Sequence, residues 1–180
     1  MGRADDSARF AEMALPHLDA AYNLARWLTR DPTDAADVVQ EAMMRALRFF
    51  GGFRGGNGKS WLLAIVRNTA FDWMKINRPV EMQSSPSGGD DGFGGELENL
   101  ASEADDPETT LIRALDRRQL DALIEALAPE FRECLVLREL EELSYKEIAA
   151  VTGVPIGTVM SRLARAREMM RRSWIKEEAR

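Results

Sequence analysis

The side chains whose types and spacing suit recognition of another molecule lie between Gly157 and Arg172. On a helix, Gly157, Ser161, Ala164, Arg165, Glu168 and Arg172 share one face, with Arg162 and Arg167 on its flanks. Small residues let such a face enter a groove closely, and arginines reach base edges or phosphates. The chemistry is hydrogen bonding and charge neutralisation, not bond making. An enzyme is short of parts here. His17 and Cys134 are the single histidine and single cysteine, so no nucleophile, base and orienting group assemble. No CxxC or Cys/His cluster offers a metal site, and no cofactor is expected. Cys134 lies in an apolar stretch, where a buried thiol is expected rather than a reactive one.

The elements that must position this face are local and readable. Ser144 and Glu147 form a capping box, so a short helix starts there and carries Ile148 and Ala149 inward. Gly153 supplies the positive φ that ends it, and Pro155 stands where a second helix begins. In that second helix Val159, Leu163, Ala166 and Met170 recur at i, i+4, i+7 and i+11, a buried stripe opposite the arginines. Two helices joined by a glycine turn, the second bearing small residues and arginine outward, make a DNA-binding helix-turn-helix.

A second informative stretch is SWLLAIVRNTAFDWMKINR, residues 60–78. Leu62, Ile65, Val66, Thr69, Trp73 and Ile76 follow helical spacing and are expected in the core. Lys59, Arg67, Asn68, Lys75, Asn77 and Arg78 interleave with Trp61, Phe71 and Trp73. Basic groups attract a phosphate backbone, while aromatic faces and amides can hold unstacked bases. Just before it, Gly58-Lys59-Ser60 imitates the tail of a phosphate-binding P-loop. That motif needs glycine where Phe53 stands and a preceding strand where a helix is expected to end, so nucleotide hydrolysis is rejected.

The net charge of −6 looks wrong for a DNA binder until it is divided along the chain. Residues 81–108 carry nine acids and no Lys or Arg, whereas 143–180 carry eight basic and four acidic groups. Rich in Gly, Ser, Pro and acid, the stretch 81–109 cannot bury enough apolar surface to fold alone and is expected to be a flexible linker. It divides an all-α chain into two small helical domains, 10–80 and 110–175. In the first, a helical segment over 8–30 carries Leu15, Leu18, Tyr22, Ala25 and Leu28, with Pro16 marking where its main helix begins. Thr33 is expected to cap a helix from Asp34 to Phe50 whose core residues are Val38, Ala42, Met43, Ala46 and Phe49. In the second domain, helical periodicity resumes at Thr109 and runs to Leu127. Pro129 then opens a helix packing Phe131, Leu135, Val136 and Leu140. No apolar run approaches the length of a membrane span and the N-terminus lacks a signal-peptide pattern, so a cytoplasmic protein is expected.

Three stretches in this order resemble one family: DPTDAADVVQEAMMRALRFF (31–50), SWLLAIVRNTAFDWMKINRP (60–79) and LAPEFRECLVLRELEELSYKEIAAVTGVPIGTVMSRLARAR (127–167). The chain resembles a bacterial RNA polymerase sigma factor of the sigma-70 family, extracytoplasmic-function (ECF) type. The resemblance implies an all-helical region 2 and an all-helical region 4. It implies that Asp37, Gln40, Glu41 and Arg45 bind the clamp helices of the polymerase β′ subunit. Trp61, Arg67, Asn68, Asp72, Lys75, Asn77 and Arg78 would recognise the −10 element and help capture a flipped base, offsetting a few kcal/mol of lost stacking and pairing. Thr158, Ser161, Arg162 and Arg165 would read the −35 element, with Arg167 and Arg171 on phosphate and region 4 also touching the β flap. Met160 stands where the family commonly carries a basic residue, and methionine cannot make the bidentate guanine contact of arginine. An anti-sigma factor is an implied partner. The linker would pass near the polymerase active-site cleft, either imitating the charge of nascent RNA or serving as a solvated tether. Two other readings fit less well. A sigma mimic that titrates an anti-sigma factor would have lost the basic residues of 60–78 and 156–172, and a dimeric repressor would need a dimerisation element after Arg172.

Overall fold

Pro16 decides how the chain begins. In the computed structural model, which describes residues 3–83 and 117–178, α1 (Arg3–Ala14) stops two residues before it, a 3-10 turn spans Leu15–His17, and α2 (Leu18–Thr29) follows. A proline ring has no N–H to donate and clashes with the preceding turn, so one helix does not run through. The break also changes which side faces in. Ala14, Ala21, Leu24, Ala25 and Leu28 are buried, while Leu15, Leu18 and Tyr22, which share the helical spacing of Ala25 and Leu28, are exposed.

Arg30 ends α2 in the left-handed conformation at φ 60°. Asp31, not Thr33, then caps α3 (Pro32–Phe49): its carboxylate accepts from the N–H of Thr33 at 2.8 Å and of Asp34 at 3.0 Å. Pro32 at the first helical position moves the cap one residue upstream of it. Val38, Val39, Ala42 and Ala46 face inward, Met43 is half-buried, and Phe49 is 61% exposed while its neighbour Phe50 enters the core instead.

After a short 3-10 turn at Phe50–Gly52, Asn57 caps α4 (Gly58–Asn77) by accepting from the N–H of Ser60 at 3.0 Å. Its buried stripe is Leu62, Leu63, Val66, Ala70 and Met74, flanked by Thr69 and Phe71. That stripe is rotated from the expected one. Ile65 and Trp73 are half-buried and Ile76 is 80% exposed. Helices α2, α3 and α4 pack mutually. No strand precedes Gly58, and none occurs among the described residues.

The expected linker starts later than its composition suggests. Pro79–Gln83 is a short helix, α5, and Glu81 pairs with Arg30 and, at 3.5 Å, with Arg78. The rest of the linker, and the expected helical residues 109–116, lie outside the described residues.

The C-terminal unit comprises α6 (Arg117–Glu125), α7 (Pro129–Glu139), α8 (Tyr145–Thr152) and α9 (Ile156–Glu178). Every residue of α7 from Pro129 to Leu137 is buried, including Glu130, Arg132 and Glu133, whereas Leu140, expected inside, is exposed. A helix buried all round must have neighbours on every side. Here α8 and α9 cover one side of α7 and α2 of the N-terminal unit covers the other, while α4 packs on α8. The two units are therefore closed on each other, and their buried apolar residues form one continuous cluster. Among the described residues no helix is long and apolar enough to cross a membrane.

Candidate nucleic-acid interface

The helix-turn-helix forms as its local signals dictate. The Ser144 hydroxyl accepts from the Glu147 N–H at 3.2 Å, and the Ser144 N–H donates to the Glu147 carboxylate at 2.7 Å. That backbone bond and the Ser144 hydroxyl hold the Glu147 carboxyl below its ordinary value. Gly153 ends α8 at φ 74°, and the N–H groups of Thr158 and Val159 are met by the Pro155 carbonyl. Val159, Leu163, Ala166 and Met170 are buried, so the opposite side of α9 is fixed outward.

The six expected −35 residues are not equivalent on that helix. Gly157 and Ala164 are exposed, and half-buried Arg165 makes no ion pair among the described residues. Thr158 and Ser161 lie beside them, the Ser161 hydroxyl donating to the Thr158 carbonyl at 3.0 Å. Arg162 turns toward Glu133, 3.6 Å away. Arg171 makes two 2.9 Å bonds to Glu168, which Arg172 joins at 2.7 Å; the two guanidiniums, Arg171 first, pull the Glu168 carboxyl down to about 2. Arg167, expected on phosphate, is engaged within its own unit. Its guanidinium donates to Glu139 at 2.9 Å with the side chain only 10% exposed, because its position lies beside the buried stripe.

On α4, Asn68, Asp72 and Lys75 stand exposed at i, i+4 and i+7 on one face. Asn77 donates to the Trp73 carbonyl at 2.9 Å, and Arg78 lies 5.6 Å from the Trp73 ring centre. Trp61 is half-buried in an aromatic cluster, 5.0 Å from Phe53 and 6.3 Å from Phe50 between ring centres. An open pocket beside this cluster is lined by Arg9, Glu12, Met13, Phe50, Phe53, Arg54 and Gly55, two cations and one acid. Ring faces and guanidiniums together suit an unstacked base with its phosphate. The loop residues Phe53 and Arg54 were missed in the sequence; their signal was an aromatic and a cation set between glycine pairs. Arg67 faces elsewhere, making bonds of 2.6 and 3.0 Å to Glu133 in the C-terminal unit.

On α3, Asp37, Gln40 and Glu41 are exposed together with Met44 and Leu47, two apolar residues that periodicity had not singled out. Arg45 donates to Glu41 at 2.8 Å and to Asp72 of α4 at 3.0 Å, and these carboxylates raise its pKa. It thereby ties the expected polymerase-facing set to the expected DNA-facing set.

A helix-turn-helix unit closed on a second helical unit with an aromatic, basic helix defines a two-part nucleic-acid-binding architecture. Residues 13–78 match sigma-70 region 2 and residues 117–170 match sigma-70 region 4. The chain is 38% identical over 141 residues to the ECF RNA polymerase sigma-E factor of Escherichia coli K12, covering 75% of this chain and 71% of that one. It is 33% identical over 164 residues to the RNA polymerase sigma-H factor of Pseudomonas aeruginosa PAO1, covering 91% and 84%. It is also 32% identical over 160 residues to the ECF RNA polymerase sigma factor SigE of Mycolicibacterium smegmatis; that match covers 89% of this chain but 59% of the longer relative. Among solved structures, the sigma factor RpoE in complex with the anti-sigma factor NepR from Bartonella quintana has a TM-score of 0.66 at 27% identity, covering 91% of this chain and 95% of that one. CnrH, in complex with the cytosolic domain of CnrY, shares the fold with a TM-score of 0.63 at 22% identity, covering 97% and 95%. The chain belongs to the sigma-70 family of RNA polymerase sigma factors, and within it to the ECF type.

Proposed function

We propose that this chain is the promoter-specificity subunit of RNA polymerase: it binds the core enzyme, reads the −35 element with α9 and the −10 element with α4, and assists strand opening. The observation that carries the reading is α9 itself. Its apolar stripe is locked inward behind a capped, glycine-turned α8, and its other side offers Gly157, Thr158, Ser161, Ala164 and Arg165 to a major groove. For the −10 element, Asn68, Lys75, Asn77 and Trp61 are the contacts, with Arg67, Asp72 and Arg78 joining once their present partners release them. The aromatic pocket around Phe53 takes the flipped base.

Exposed Asp37, Gln40 and Glu41 beside Met44 and Leu47 make a mixed polar and apolar surface suited to a protein partner. With Arg45 they dock on the β′ clamp helices, while the C-terminal unit meets the β flap. Control by an anti-sigma factor is supported by the Bartonella relative solved with one. The protein acts in the cytoplasm without membrane insertion, cofactor or catalytic chemistry of its own.

The test is transcription in vitro with core polymerase, this protein and a library of genomic fragments, sequencing the RNA starts. Starts sharing a −35/−10 pair, lost with Arg165→Ala or Asn68→Ala, are expected. Failure to bind core polymerase would overturn the reading.

A further inference from the structure

The outward side of α9 has two unlike borders. Ile156 begins the helix and is 44% exposed. Met160, half-buried, and Ala164, exposed, follow at i+4 and i+8, so the three form an apolar strip along one border. Thr158, Arg162 and Arg165 run along the other border at i, i+4 and i+7.

Internal packing does not account for the strip. Val154, just before the helix, packs against the core, whereas among the described residues neither Ile156 nor Met160 joins it. Nor does the fold ask for a glycine at 157. Its φ is not positive, and an added Cβ would meet nothing within 4 Å. A side chain missing without benefit to the interior lets an outside surface come close to the backbone. Cations are few on these turns as well: Arg162 lies 3.6 Å from Glu133, and Arg165 is the one guanidinium there without an ion pair among the described residues.

These features have a counterpart in the chemistry of the groove. In the major groove thymine presents its C5 methyl beside the O4 acceptor, while the other three bases present donors and acceptors only. An apolar side chain pressed on a donor or acceptor strips it of water without replacing the bond; pressed on a methyl, it buries apolar area. Recognition helices bring their N-terminal residues to the base edges, and Ile156 and Met160 occupy the first two turns.

We propose that Ile156 and Met160 are specificity-determining residues that read thymine methyl groups in the −35 element, beside the polar contact of Arg165. The inference rests on the proposed seating of α9 in the −35 major groove. β-Branched Ile156 is stiff and sets the position of the contact, while the unbranched thioether of Met160 adapts to it.

The experiment uses the full chain bound to core polymerase and the promoter recovered above. Each −35 thymine, on either strand, is replaced in turn by deoxyuridine, which lacks only the methyl. At one or two positions uridine is expected to weaken binding about fourfold, the worth of one buried methyl. In Ile156→Ala and Met160→Ala, both outside the core, thymine and uridine are expected to bind alike at the position each residue reads. Gly157→Ala is expected to weaken binding by about tenfold through a clash while its urea midpoint does not fall. Uridine without effect at every −35 thymine, a uridine penalty undiminished in both alanine variants, or full affinity in Gly157→Ala would overturn the methyl reading. Wild-type polymerase complex that binds no promoter faults the functional reading instead, whereas promoter binding insensitive to uridine faults the methyl reading alone.

Discussion

The Arg132 guanidinium, on α7 of the C-terminal unit, donates at 3.1 Å to the carbonyl of Trp27 near the end of α2. It bonds the Leu28 carbonyl as well, and reaches the carbonyls of Glu125 and Leu127 in its own unit at 3.0 and 2.7 Å. A cation at a helix C-terminus meets the negative end of the helix dipole and the carbonyls that the helix leaves unpaired. Burial lowers the Arg132 pKa to about 10, with Arg30 next in effect, so it stays charged at neutral pH.

Arg132→Met is therefore expected to destabilise the protein by about 2–4 kcal/mol, since several carbonyls lose a charged donor at once. Urea unfolding at neutral pH measures it. Arg132→Lys is expected to recover little, because one ammonium cannot reproduce the planar fork.

For the helix-turn-helix, Ser144→Ala is expected to cost about 1 kcal/mol as the α8 cap is lost. Gly153→Ala is expected to cost about 1–2 kcal/mol through backbone strain alone, since an added Cβ would meet nothing within 4 Å. Glu147→Gln carries a pH signature. A carboxyl depressed in the folded state stabilises above its unfolded value, and that contribution fades as pH falls through the depressed one. Wild type and Glu147→Gln are thus expected to differ in urea midpoint at pH 7 and to converge in acid.

Arg165 and Arg167, two residues apart, are expected to fail differently. Arg165→Ala should weaken promoter binding while leaving stability within about 0.5 kcal/mol of wild type. Arg167→Ala abandons Glu139 in a half-buried site and should lose about 1–3 kcal/mol of stability. Comparing unfolding with promoter affinity for both variants separates the roles, and equal stability losses would contradict them.

Cys134 is fully buried, and burial, reinforced by the Glu133 charge, pushes its thiol up to about 12. A thiol-reactive chromophore is expected to leave the native protein unlabelled and to label it along the same urea curve as the loss of helix. Labelling of the folded protein at neutral pH would contradict the burial.

Signals confined to a few residues were legible in the sequence. The Ser144–Glu147 box, the Gly153 turn and the α9 stripe depend on neighbours within one or two turns, and each stands where its residues require. Facing was harder. On α2 and α4 the apolar residues outnumber those that can point inward, so Leu18, Tyr22 and Ile76 lie outside while smaller alanines fill the centre. Packing chooses among apolar residues, and helical spacing alone does not. Glu133 gave no signal at all: its bidentate partner is 66 residues away, and only the fold brings the two together.

The charges of α7 have one more consequence. A helix buried on every side is ordinarily aliphatic on every side, but this one carries Glu130, Arg132 and Glu133 among Phe131, Leu135 and Leu137. Charges in such a place need partners, so Arg132 is engaged by carbonyls of both units and Glu133 by Arg67 and Arg162. The placement of α7 is thereby tied to named partners in both units, a constraint that an all-aliphatic helix would lack.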